Sequence, residues 1–325
     1  MMKTTTIGKY RGLQQISNDR GHITMCALDH RGSLKKMLGK GMGSDPSYED
    51  MVYFKQDVCE ALSPHASAML LDPVYGAAQS IAAGVYEPSA GLLVSLEETG
   101  YTGDAGSRVS RELEGWGAHK VRRMGASGAK LLLYYRPDVE VAAQQRDLVK
   151  KLAADCAAQD LAFIVEPVGY AVGDEGSSGR YSALKPDIVI QTAKEITPLG
   201  IDVLKAEFPV DMTAESDVKA MSDYCKRLDE ASEVPWIILS AGVGFEDFVR
   251  EVEIACKAGA SGFLGGRALW QEAAGMKSRE ERREFFQTTV VDRLRILTAV
   301  ADAYGAPWQK RVAPPTIAEN WYSSY

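Results

Sequence analysis

Short apolar runs, often β-branched, recur along the chain between longer amphipathic stretches. They read ITMCALD (23–29), SAMLLD (67–72), GLLVSL (91–96), AKLLLYY (129–135), AFIVEP (162–167), DVLKAEF (202–208), PWIILS (235–240) and SGFLGG (261–266). Near-continuous apolarity over so short a length is what a strand buried on both faces requires. Between most of these runs the helical period takes over, as in 48–62, 139–159 and 214–231.

Strands alternating with helices leave two main architectures, an open doubly wound sheet and a closed eightfold barrel. The first run ends in Asp29-His30-Arg31-Gly32 and not in the GxGxxG of a dinucleotide-binding sheet. Eight runs favour the barrel. The predicted fold is therefore α/β, a single (β/α)8 TIM barrel domain over 1–325 with a C-terminal tail at 305–325. Two segments fall outside the pattern. GKGMGSDP (39–46) reads as a mobile loop, and APPTIAENWYSSY (313–325) as an aromatic tail packed on the barrel or on a partner subunit.

Composition narrows the partners. Hydrophobic residues make up 46% and charged residues 25% of the 325, enough to bury a full core. The net charge of −7, with no basic block, excludes the electrostatic footprint of a nucleic-acid binder. An anionic small molecule would need local basic sites. The five cysteines are widely spaced without a CxxC pair, so reduced thiols in a cytoplasmic protein are expected. No run approaches the roughly 18 apolar residues of a membrane span, and no secretory leader is visible.

Barrels carry their reacting groups at the C-terminal ends of the strands. That rule selects Asp29 after the first strand, Lys130 in the fourth, Glu166 in the fifth and Lys205 in the sixth. Lys205 lies between Leu204 and Ala206 in a strand whose outer face helices should cover. Burial lowers a lysine's pKa by disfavouring the ammonium, and a second cation such as Lys130 would add to that. A neutral amine suits attack on a carbonyl carbon, with Schiff-base chemistry to follow. Losing water from the carbinolamine needs an acid, for which Glu166 is the candidate. Asp29 is the candidate base for the hydroxyl on the carbon released. Strand seven ends in Ser240-Ala-Gly242-Val-Gly244 and strand eight in Gly265-Gly266-Arg267. Glycine-rich turns after the last two strands are where barrels bind phosphate, and Arg267 adds a positive fork.

These residues resemble the class I tagatose-1,6-bisphosphate aldolases and their class I fructose-bisphosphate aldolase relatives. The likeness runs from about 20 to 300, through ALDHRGSLKKM (27–37), AKLLLYYRPD (129–138), FIVEPVGY (163–170), DVLKAEFPV (202–210), ILSAGVGFEDF (238–248) and GFLGGRALW (262–270). The resemblance implies Lys205 as the Schiff-base lysine, Glu166 and Lys130 as its partners and Asp29 beside the C4 hydroxyl. It also implies Ser240, Gly242, Gly265, Gly266 and Arg267 as the C1-phosphate site. No metal cofactor is implied, and a homo-oligomer is. His30 stands where the tagatose-bisphosphate enzymes carry glutamine, and sulfofructose-phosphate aldolases share the pattern. His30, Arg31 and Arg136 are thus candidates for the distal end of the substrate. Tyr325 is similar to the C-terminal tyrosine that some fructose-bisphosphate aldolases use in proton transfer.

Other chemistries fit less well. Four histidines without HxH or HExxH spacing argue against a zinc-dependent aldolase, His22 and His119 reading as surface or hydrogen-bonded residues. No GxSxG follows a strand. A phosphosugar sensor that regulates a partner protein is the reading from a different class. A pure binder, however, needs neither the nucleophile nor its acid.

Overall fold

The computed structural model describes residues 2–323 and 325. Strands β1 (Ile23–Leu28), β2 (Ala68–Leu71), β3 (Gly91–Ser95), β4 (Gly128–Tyr134), β5 (Ala162–Val168), β6 (Val203–Ala206), β7 (Trp236–Leu239) and β8 (Gly262–Gly265) are all parallel and close into a barrel. β8 pairs back onto β1, with Gly262 opposite Ile23 and Gly265 opposite Cys26. All eight apolar runs are strands, so the predicted (β/α)8 fold is the observed one.

Side chains alternate between the two faces of each strand. Ile23, Met25, Ala27, Leu70, Leu93, Ile164, Val203, Ile237 and Leu264 fill the barrel interior. Leu28, Leu71, Val94, Leu131, Val165, Leu204 and Ile238 face outward into the larger layer between sheet and helices. The helices include α1 (Ile7–Gln15), α2 (Gly32–Met42), α3 (Tyr48–Leu62), α4 (Ala142–Ala158), α5 (Val218–Ala231), α6 (Phe245–Lys257) and the four-residue α7 (Arg267–Trp270), the last two following the final βα turns.

Local chemistry sets the ends of these helices. Ser47 caps α3 through a capping box, accepting from the Asp50 N–H at 3.1 Å while Asp50 accepts from the Ser47 N–H at 2.9 Å. α3 therefore begins and ends where the apolar period predicts. α5 starts four residues later than predicted, because Asp217 caps it by accepting from the Lys219 N–H at 2.9 Å. α4 likewise starts at Ala142 and not at 139. The loop expected at 39–46 is also corrected: GKGM completes α2, and the chain leaves that helix at Gly43, whose φ is +73°. Gly41 has to lack a side chain there, since a Cβ would lie 2.3 Å from the Ala274 carbonyl oxygen.

The N-terminal end of the barrel is closed by α1, which brings Leu13 beneath the interior layer, and by Trp308 from the tail. Lys9 of α1 pairs with Asp202 at 2.7 Å, both nearly closed to solvent. Val312–Ala313 forms a small parallel ladder with Lys3–Thr4. The tail is packed on the barrel's floor as far as that ladder, its later aromatic residues Trp321, Tyr322 and Tyr325 are exposed, and Tyr325 donates to Asp160 just before β5. Its hydroxyl is thus at the opposite end of the barrel from the strand ends that carry Glu166, which overturns a proton-transfer role for Tyr325 in this arrangement.

Candidate active site

Four ionisable side chains from in or just beyond four strands meet inside the C-terminal half of the barrel. In β4, Lys130 stands level with Ser95 of β3 and Ile164 of β5, so Glu166 projects inward one step higher. Lys205 projects inward from β6 beside it. Glu166 bridges the two lysines, with Oε1 at 2.8 Å from Lys205 Nζ and Oε2 at 2.7 Å from Lys130 Nζ. Asp29 Oδ2 lies 2.6 Å from Lys130 Nζ. All four groups selected by the strand-end rule are within one connected cluster.

The sequence reading missed a fifth member. Glu97 Oε1 lies 3.0 Å from Lys130 Nζ, and its Oε2 accepts from the Leu132 N–H at 3.0 Å. Continuing the inward parity of Leu93 and Ser95 by one step would have found it. Lys130 is fully buried and sits among three carboxylates. It is therefore not the bare second cation expected beside Lys205, a correction that follows from the unforeseen carboxylate.

These contacts decide the charge states. Burial pushes the Asp29 carboxyl up, but Lys130, His30 and Lys205 outweigh it and hold the group well below the usual carboxylate range. At Glu166 burial also opposes ionisation, and Lys130 and Lys205 again overcome it. Burial disfavours the Lys130 ammonium, yet Asp29, Glu166 and Glu97 hold its pKa far above that of a free lysine. His30 behaves oppositely. Burial pushes its imidazole down to about 4, with Asp29 opposing and Arg267, Lys55 and Lys205 assisting the fall.

Two connected cavities meet over Lys205. The distal one, about 490 Å³, is lined by Asp29, His30, Arg31, Ser33, Lys36 and Tyr101 among others. The proximal one, about 350 Å³, is lined by Ser240, Ala241, Gly266, Arg267 and Glu207 among others. Lys205, Glu166, His30 and Tyr134 border both. Each cavity thus has its own cations, with the lysine between them.

The remaining sequence candidates divide. Ser240 Oγ accepts from the Gly266 N–H at 3.3 Å, tying the last two turns together. Gly266 lies in the proximal wall, where a Cβ would come within 3.0 Å of His30 Cε1. Gly242 has φ +83°, and a Cβ there would meet the Arg267 guanidinium carbon at 3.0 Å. At Gly265 an added Cβ would face away from the cavity, 3.1 and 3.2 Å from Phe248 and Leu269 on the outer face of β8. Arg31 lines the distal cavity and donates to the Glu97 carbonyl oxygen. Arg136 is a correction. It is buried in ion pairs with Asp138 at 2.8 Å and with Glu175, and donates to the Tyr170 carbonyl at 2.9 Å. It therefore neither reaches the distal cavity nor lies in solvent.

Elsewhere, His22 pairs with Asp302 at 2.9 Å, as a hydrogen-bonded histidine should. All five cysteines are free and buried. Among the described residues, no group of His, Cys, Asp and Glu is arranged to hold a metal ion, and no helix is long and apolar enough to cross a membrane.

A (β/α)8 barrel with an ion-paired lysine at the floor of its mouth has the architecture of a class I aldolase, and comparison with known proteins bears this out. The family model described as DeoC/LacD family aldolase matches residues 23–272. A tagatose 1,6-diphosphate aldolase of Listeria monocytogenes is 36% identical over 327 residues, covering 94% of this chain and 95% of the relative. A tagatose 1,6-diphosphate aldolase of Lactococcus lactis is 33% identical, over 94% of this chain and 98% of its own length. Among solved structures, the fructose-bisphosphate aldolase of Plasmodium falciparum superposes with a TM-score of 0.72 over 94% of this chain and 98% of its own. At 14% identity that last likeness carries the fold alone. The chain belongs to the DeoC/LacD family of aldolases.

Proposed function

We propose that the protein cleaves a ketohexose bisphosphate, tagatose 1,6-bisphosphate first among them, to dihydroxyacetone phosphate and glyceraldehyde 3-phosphate. The observation that carries this reading is the position of Lys205 at the junction of two cation-bearing cavities. A chain with a ketone near one phosphate and a second phosphate at its far end matches that layout. The proximal cavity, with Ser240, Gly266 and Arg267, takes the C1 phosphate. His30 and Arg31, joined by Ser33 and Lys36, face the far end. The names of the curated relatives support the tagatose substrate.

The chemistry follows from the Lys205–Glu166 pair. A proton passes from the Lys205 ammonium to Glu166 Oε1 across 2.8 Å, and the amine attacks the C2 ketone. Glu166, now an acid, protonates the departing hydroxyl of the carbinolamine, and water leaves to give the iminium. Asp29 removes the C4 hydroxyl proton. The C3–C4 bond then breaks, its electrons passing into the iminium to form an enamine, and the aldehyde departs. Protonation at C3 and hydrolysis release dihydroxyacetone phosphate and restore the lysine. Lys130 holds Asp29, Glu97 and Glu166 in place throughout. No metal enters this route. The same reading places the enzyme in the cytoplasm as a homo-oligomer of one-domain subunits.

A panel of phosphoketoses scored by dihydroxyacetone phosphate release tests the substrate. Tagatose 1,6-bisphosphate should show the highest kcat/KM. Preference for sulfofructose 1-phosphate would reassign the distal cavity to a sulfonate, and tight binding of every sugar without turnover would favour the sensor.

A further inference from the structure

Lys55 lies in the middle of α3, yet it is fully buried and pairs with Asp72 at 2.6 Å, neither side chain reaching solvent. The aldol chemistry uses neither residue. A buried ammonium is tolerated only where its three protons find acceptors. Here two acceptors are backbone carbonyls, that of Leu28 and, at 2.9 Å, that of His30, while the Asp72 carboxylate balances the charge as an ion pair. They belong to the residues on either side of Asp29.

Asp72 is fixed in turn. Its Oδ1 accepts from the N–H groups of Val74 at 2.9 Å and Tyr75 at 2.8 Å, just beyond the end of β2. On the other side, Trp270 Nε1 donates to the Ala27 carbonyl at 3.0 Å. The carbonyls of residues 27, 28 and 30 are all gripped from the helical layer, while the Asp29 carboxylate between them turns inward to Lys130. Packing alone would be met at this helix position by an apolar side chain of similar length.

We infer that Lys55 is a positioning residue for carbon–carbon cleavage, acting through Asp29 by clamping the backbone on both sides of it. The inference rests on the reading of Asp29 as the base at the C4 hydroxyl. It separates two partial reactions that general damage to the barrel would slow together. Cleavage of the bisphosphate needs Asp29. Exchange of the C3 proton of dihydroxyacetone phosphate with solvent needs Lys205 and Glu166 but involves no C4 hydroxyl.

The test measures both rates in Lys55→Met. Cleavage should fall on the order of 100-fold, as for a misplaced reacting group, while proton exchange and borohydride trapping of dihydroxyacetone phosphate stay within about twofold. A parallel fall in both rates, or no fall in either, overturns the inference. Lys55→Met/Asp72→Asn, which removes both buried charges, is read in the same way should the single variant not fold. Asp29→Asn is run alongside. If it cleaves at the full rate, the assignment of Asp29 fails and this inference with it. If it does not cleave and Lys55→Met does, at the full rate, only the role of Lys55 fails.

Discussion

The two oxygens of the Glu166 carboxylate are divided between two lysines, Oε1 lying 2.8 Å from Lys205 and Oε2 2.7 Å from Lys130. One oxygen is thereby placed to exchange a proton with the nucleophile while the other is pinned. Glu166→Gln keeps the size of the side chain and removes that proton carrier. The rate of Schiff-base formation should fall about 10²- to 10⁴-fold. Borohydride trapping followed over time reads this step directly, and a rate equal to the parent's would remove Glu166 from the chemistry.

Lys130 should matter for stability as well as for catalysis. Lys130→Met leaves Asp29, Glu97 and Glu166 without their shared cation, and breaking a buried pair from one side costs about 3–5 kcal/mol. The three carboxylates border a cavity that water can enter, which puts the expected loss near ~3 kcal/mol. Adding Glu97→Gln to Lys130→Met should recover part of it, because one of the stranded charges is gone. Denaturant unfolding of both variants checks the sign, and a further loss in the double variant would contradict the charge argument.

Gly242 tests the proximal cavity without replacing an ionised group. Its φ of +83° and the 3.0 Å approach of an added Cβ to Arg267 make Gly242→Ala strained and displace the guanidinium. Strain of this kind costs on the order of 1–3 kcal/mol. KM for the bisphosphate should rise while kcat changes little. An unchanged KM would show that Arg267 does not hold the phosphate.

How much of this was legible beforehand depended on whether a residue's neighbours lay inside the same strand pattern. The strands announced themselves because burial on both faces demands unbroken apolar runs, and Lys205, Lys130 and Glu166 stood out as interruptions. Glu97 did not, since it follows its run in a polar LEETG stretch that reads as loop. Gly265 and Gly266 look alike in sequence, and only the direction of β8 shows which faces the mouth. Lys55 reads as a solvated helix position until α3 is packed against the end of β1. α1 and Trp308 were missed for a related reason, because plugging the barrel floor is a tertiary role without a local signature.

His30 should make stability depend on pH. Its folded-state pKa of about 4 lies below the ordinary histidine value of 6.5, so the unfolded chain takes up the proton first as pH falls. Stability due to the neutral, partly buried ring is complete above about 6.5 and lost as pH drops toward 4, an effect of up to about 3 kcal/mol. His30→Gln should flatten that limb. Unfolding midpoints between pH 7.5 and 4.5, measured for both proteins at roughly half-unit steps, compare the slopes, and identical slopes would show that His30 does not titrate as its setting requires.

Reduction with borohydride in the presence of dihydroxyacetone phosphate, followed by peptide mapping, reads the nucleophile itself. The three-carbon adduct should sit on Lys205, and Lys205→Met should give none. An adduct on another lysine, or activity that a chelator abolishes while Lys205 stays unmodified, would contradict a Schiff base at Lys205.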